Sequence, residues 1–347
     1  MKSATGKILV TITFVAMVGG CIPGVMASEK TSLPESSGIQ NQITSVYPVT
    51  FKTAHRLVDL EVKVTAPVQG DNLPIILISH GHGAPWYLGS YRGMAPLTDY
   101  YAANGFIVIQ PTHQDSRILG LDKKGPEGAL FWKSRIEDMA FCIDHLDELI
   151  NSVPNLSTRA KKSDIAAVGF SMGGQTVSML AGTTMRDPVS GKKMVKSDQR
   201  IKAFVTLGAP GNGNDVAEWA LKNYPAITGV DYSTMTRDAL IIVGDRDKNP
   251  QFSTRDDWRF DIYKTSPAPK TLLTLVNTGH MLGGIMGYDA YETSLTDDEN
   301  PETLLFIQKM TTAYIRSKLN PTDNSWALAM NELNEMGMPK GKIEFKK

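Results

Sequence analysis

The chain is poor in cysteine, with two in 347 residues, at positions 21 and 142. A disulfide-stapled scaffold is thereby excluded, and stability has to come from a buried core. There is no excess charge of either sign: Lys and Arg total 36, and so do Asp and Glu. Nothing therefore supports counterion-driven binding to nucleic acid. Internal repeats and low-complexity tracts are absent from the sequence. The apolar stretch near the N-terminus, Ile8 to Val18, is too short to cross a bilayer as a mature helix.

That stretch has another reading. Lys2 and Lys7 precede it, Pro23-Gly24 breaks helix after it, and Val25-Met26-Ala27 places small residues at minus three and minus one before Ser28. This is the pattern of a secretory signal peptide over residues 1–27. A second processing pattern overlaps it. Val18-Gly19-Gly20-Cys21 resembles a bacterial lipobox, which would leave Cys21 acylated and the chain tethered to a membrane. The expected location is secreted or periplasmic, with a lipid-anchored form through Cys21 as the alternative. The first cut leaves Cys142 alone, in FCIDHL on a helical pattern, as a small buried apolar residue.

What remains after the leader is long enough for one large α/β domain or two small ones. Residues 28–42, rich in Ser, Glu and Gln, read as a flexible lead-in. RLVDLEVKVT (56–65) alternates apolar and polar, the pattern of a half-exposed strand near a sheet edge. Then come short, continuously apolar runs: PIILIS, FIVIQ, IAAVGF, AFVTLG, ALIIVG and TLLTLV. Strands buried on both faces of a parallel sheet look like this. Helical spacing appears between them, around 97–104, 134–150, 174–181 and 215–223, and again over 301–319 and SWALAMNELNEMG (325–337). The alternation predicts a single α/β domain over 43–347, with a doubly wound, mostly parallel sheet flanked by helices.

One run ends unusually. In DIAAVGFSMGGQTVSML (164–180) a serine lies among three glycines where strand gives way to helix. Gly169-Phe170-Ser171-Met172-Gly173 matches G-x-S-x-G in the context that motif requires. The turn is tight enough to exclude neighbouring side chains, it lifts the serine hydroxyl above the sheet, and it leaves the Met172 amide free for an oxyanion. A serine needs a base and an orienting acid, here in the chain order Ser, Asp or Glu, His. Of the histidines at 55, 80, 82, 113, 145 and 280, only His280 follows Ser171, and it sits just past an expected strand end. The acid falls in GDRDKNP, at Asp247 or Asp245, with Asp247 better spaced and Asp245 suited to a turn. ISHGHG (78–83) offers the second oxyanion amide, at His82. An H-x-H metal site is the competing reading of that stretch, but Gly83-Ala84-Pro85 follows where an Asp-His pair would be needed. Neither metal nor cofactor is expected.

These residues resemble the α/β-hydrolase superfamily. Within it SHGHG, the THQD stretch, GFSMGG, GDRD and the late GH are most similar to dienelactone-hydrolase-like and platelet-activating-factor-acetylhydrolase-like serine esterases. The resemblance implies cofactor-free hydrolysis of carboxylic esters, often with short acyl groups. A departure limits it: dienelactone hydrolases use a cysteine nucleophile, and this chain has Ser171. Trp86 and Tyr87, with Trp132 behind them, are candidates for lining a substrate pocket, their alternative role being ordinary packing. Residues 185–200 read as a polar surface excursion, not an apolar lid, and 211–235 as a small cap over the site. GGIMGYDAYE, after His280, suits a tight loop near it. Two rivals stand beside a soluble short-acyl esterase: an esterase acting on acetylated polysaccharide or polyester, and a non-catalytic exported binding module on a hydrolase scaffold.

Overall fold

Six short apolar runs become six parallel strands, and hydrogen-bond register carries their C-terminal ends to one edge. The computed structural model describes residues 41–83, 87–125, 127–287, 299–335 and 340–347. The leader with both processing patterns, residues 28–40 of the lead-in, Trp86, and the end of the loop after His280 lie outside the described residues. Residues 40–347 form one compact unit.

The strands are β1 (Ile43–Phe51), β2 (Leu60–Pro67), β3 (Leu73–Ser79), β4 (Ile107–Pro111), β5 (Ala160–Phe170), β6 (Thr184–Arg186), β7 (Lys193–Met194), β8 (Ile201–Leu207), β9 (Val230–Asp231), β10 (Leu240–Gly244), β11 (Lys270–Leu275) and β12 (Gly341–Lys346). The helices are α1 (Ala95–Ala103), α2 (Trp132–Asp144), α3 (Leu146–Asn151), α4 (Met172–Leu180), α5 (Glu218–Asn223), α6 (Asp261–Thr265), α7 (Pro301–Leu319) and α8 (Ser325–Glu335). Nine strands form a mixed, mostly parallel sheet in the order β1-β2-β4-β3-β5-β8-β10-β11-β12. β2 and β12 run against the other strands, and β1, antiparallel to β2, runs with them. A small three-stranded sheet, β7-β6-β9, stands apart.

Alternation within the central strands divides the core. Ile75 and Leu77 of β3 and Ala167 of β5 face one apolar cluster with α2, α3 and α4. Ile76, Ile78 and Val168 face the other, with α1 and α7. Both faces are covered, so consecutive positions in the middle of these strands, Ile75 to Ile78 and Ile165 to Val168, are apolar.

Three expectations need correction. The alternating segment 56–65 lies near the edge, next to the outermost strand, but β2 is not half exposed: it is buried or half-buried throughout, paired with β1 on one side and β4 on the other. β1 takes the edge, and its Pro48 and a bulge between Val46 and Val49 hid it, because an edge strand tolerates a residue that cannot donate to a ladder. The long helix over 134–150 is two helices. His145 separates them, with φ −113° and its ring nitrogen Nδ1 3.0 Å from the Phe141 carbonyl. β12 was not foreseen, being short, lysine-rich and half exposed at the opposite edge.

Candidate functional site

Register builds the site. Ser79 pairs with Gly169, Phe170 with Leu207, and Gly244 with Leu275. The loops after β3, β5, β8, β10 and β11 therefore emerge side by side. Ser171 occupies the turn between β5 and α4 with φ 53° and ψ −118°, a left-handed conformation that a non-glycine residue adopts only under strain. The surrounding glycines have a steric reason. A Cβ on Gly169 would lie 2.1 Å from the Gly173 carbonyl oxygen, and one on Gly173 would lie 1.9 Å from that of Ser79. The Met172 amide, first in α4, has no acceptor within the helix and stands at its positive end.

His280 enters from the loop after β11. Its Nε2 lies 3.1 Å from the Ser171 hydroxyl, and its Nδ1 lies 2.8 Å from Asp247 Oδ2. A carboxylate only accepts, so Nδ1 carries the proton and Nε2 is left to accept from the serine. The Asp247 side chain is fully buried while that of His280 is 33% exposed. Burial alone would raise the Asp247 carboxyl. The Arg259 guanidinium and the His280 ring outweigh it and hold the group below the usual carboxylate range. Arg259 Nε stands 2.5 Å from Asp247 Oδ1, poorly aligned for a hydrogen bond but close in charge, while its terminal NH1 donates to the Gly208 carbonyl at 2.7 Å. Asp245 does something else: its Oδ1 accepts the Thr278 amide at 3.1 Å, tying the β10 loop to the segment that carries His280.

A cavity of about 310 Å³ opens over Ser171, with Met172, His280, His82 and Gly83 in its wall. The far wall is aromatic. Trp219 and Tyr224 come from within 211–235, and they pack with Phe252 at ring separations of 5.6 to 5.8 Å. Asn249, Gln251 and Trp258 complete that side. Tyr87 is half exposed and is not among the described residues of the wall, and Trp132 is buried in the core. Arg259 and the aromatic wall were missed by sequence reading. Their segments carry no periodicity, and GDRDKNP marked only where the loop begins.

Behind the β3 loop lies a buried polar network that sequence reading also missed. Arg135, fully buried on α2, donates to Asp115 Oδ1, to the His80 carbonyl and to Thr176 of α4. Asp115 Oδ2 in turn faces His82 Nδ1 at 2.7 Å. Deeper still, His113 Nε2 lies 2.9 Å from the Ser79 hydroxyl and its Nδ1 lies 2.9 Å from Asp138 Oδ2. Asp138 also pairs with Arg56 at 2.6 Å and His55 at 3.0 Å. His80 Nε2 accepts the His113 amide. The H-x-H pair is thus split, one ring committed to this network and one facing the cavity. Among the described residues no group of three or more His, Cys, Asp or Glu is arranged to hold a metal ion. Cys142 is free and buried, and burial pushes its thiol up. Among the described residues, no helix is long and apolar enough to cross a membrane.

Compared with protein-family models and with curated proteins, the chain matches none. The geometry therefore carries the chemical argument: a hydroxyl bonded to an imidazole, the imidazole oriented by a buried carboxylate, and a free helix-terminal amide beside them.

Proposed function

We propose that this chain is an exported serine esterase of the α/β-hydrolase type, cleaving carboxylic esters through an acyl-enzyme intermediate. The observation that carries the reading is the line from Ser171 Oγ to His280 Nε2, and from His280 Nδ1 to Asp247, at the mouth of a cavity. The sheet order supports it, with the serine turn after β5 and the acid and histidine after β10 and β11.

In the first half-reaction His280 takes the Ser171 proton as the hydroxyl oxygen attacks the ester carbonyl. The tetrahedral oxyanion is received by the amides of Met172 and His82, each donor contributing about 3 kcal/mol in comparable sites. His280, now an imidazolium stabilised by ionised Asp247, protonates the departing alcohol. Water repeats the sequence on the acyl-enzyme and releases the acid. No cofactor enters this scheme. The cavity suits a small ester, and short acyl groups are the substrates we assign first.

Purified mature protein should hydrolyse p-nitrophenyl acetate or butyrate and should be labelled at Ser171 by a fluorophosphonate. Folded protein that does neither counts against the esterase and favours the non-catalytic binding module. The aromatic wall with partly exposed Trp219 favours testing a polymer-directed esterase as well. Release of product from acetylated polysaccharide or polyester film, compared with soluble esters, separates the two.

A further inference from the structure

His82 does more than contribute an amide. Its side chain is 5% exposed, the residue lines the same cavity as Ser171, and its ring meets that of Tyr224, another wall residue, edge-on at 5.3 Å. Nδ1 is committed to Asp115, which accepts and so fixes the proton on Nδ1. Nε2 is buried and meets no partner among the described residues. Around it the network is otherwise well satisfied: Asp115 is answered by Arg135, and both nitrogens of His80 and of His113 are bonded. A buried polar atom left open in such a setting needs a partner, and a substrate in the cavity can supply one.

The kind of partner follows from the tautomer. With the ring's N–H at Nδ1 directed to Asp115, Nε2 presents a lone pair. A lone pair is repelled by an oxyanion and matches a donor. A simple alkyl ester has no donor to offer. We infer that the His82 ring, held by Asp115 and Arg135, selects esters bearing a free hydroxyl beside the ester group, as in partly acylated polyols or hydroxy-acid esters. This rests on the esterase reading above. His82 is then a specificity residue whose ring reads the hydroxyl while its amide faces the carbonyl oxygen.

Two isosteric pairs test it, each replacing a hydroxyl by a methyl: 2-hydroxyethyl acetate against propyl acetate, and methyl lactate against methyl isobutyrate. Rates of acid release are normalised to alkaline hydrolysis. The wild-type protein should prefer the hydroxylated member of at least one pair by about tenfold in kcat/KM. In His82→Phe that ratio should fall to near one. In His82→Gln, whose amide oxygen can still accept, part of it should survive. The ratio cancels any loss common to both esters, including a displaced amide. Equal wild-type rates in both pairs overturn the inference, as does a ratio unchanged in His82→Phe. Should His82→Phe fail to fold, the wild-type ratio and the Gln variant still decide. Turnover of esters without hydroxyl selectivity sinks this inference alone. Absence of all turnover and of fluorophosphonate labelling sinks the esterase reading beneath it.

Discussion

Ser171, His280 and Asp247 stand in line at 3.1 and 2.8 Å; Ser79, His113 and Asp138 stand in line at 2.9 and 2.9 Å. By distance alone the two sets are equivalent. They differ in everything that reactivity needs. Ser79 closes β3 and is fully buried, as are the side chains of His113 and Asp138. Ser171 sits on a strained turn at a helix N-terminus, over a cavity, beside a partly exposed imidazole. The carboxylates differ too. Asp138 is shared among His113, His55 and Arg56 and knits the loop after β4, α2 and the segment before β2 together. Asp247 has a single histidine and one steadying guanidinium. Hydrogen-bond distances therefore do not identify a nucleophile; access and a place for the developing charge do.

The contrast can be broken at each residue. Ser171→Ala should lower kcat/KM on p-nitrophenyl butyrate by at least ~10³-fold, and as much as ~10⁶-fold, with folding intact. Ser79→Ala should leave turnover at the same order and cost about 1 kcal/mol in urea unfolding. A Ser79→Ala protein as inactive as Ser171→Ala would reverse the assignment.

Changing the acids should give opposite signatures. Asp247→Asn should cost about 10⁴-fold in kcat, since the imidazole loses its orienting anion. Asp138→Ala should cost about 3–5 kcal/mol of stability, since Arg56 is left charged and buried. Arg259→Met comes next. Loss of the nearby cation removes a cause that holds the Asp247 carboxyl down, so on acidification activity should be lost at a higher pH than in the wild type. Loosened positioning should lower kcat/KM roughly 10- to 100-fold.

The smallest effect is a slope. Burial, with the nearby Arg135 charge, holds His80 and His113 below the ordinary imidazole value of 6.5. Asp115 and Asp138 lie below the ordinary carboxyl value of 3.8, because Arg135 and His82 act on the first, and His113, His55 and Arg56 on the second, against the penalty of burial. In each case the unfolded chain takes up its proton first as pH falls, so acid favours unfolding. The melting temperature should hold above about pH 6.5, decline below it, and decline faster below about pH 4. A melting temperature flat from pH 7 to 5 would mean that the buried histidines are protonated in the folded state.

Much of this architecture could be read before any coordinates. The six apolar runs are legible because strands buried on both faces put apolar residues at consecutive positions. Ser171 is legible because its turn demands glycine at 169 and 173, and His280 because chain order leaves no other histidine. The edges were harder. β1 carries Pro48, and β12 alternates lysine with apolar residues, so neither resembles the strands between them. Arg135 and Arg259 gave no local sign, being single charged residues in segments that read as helix or loop, and Asp115 stood out only as part of the THQD stretch, with no role attached.

Local sterics and a periodicity of burial are written in consecutive residues. That is why this sequence, by itself, determined the α/β alternation, the serine turn and the single histidine that follows it. Which carboxylate meets which imidazole is settled by side chains 33 residues apart in each pair, Asp247 with His280 and His82 with Asp115. Only the tertiary structure could decide that, because register across neighbouring strands, and not anything along the chain, sets which loop ends meet.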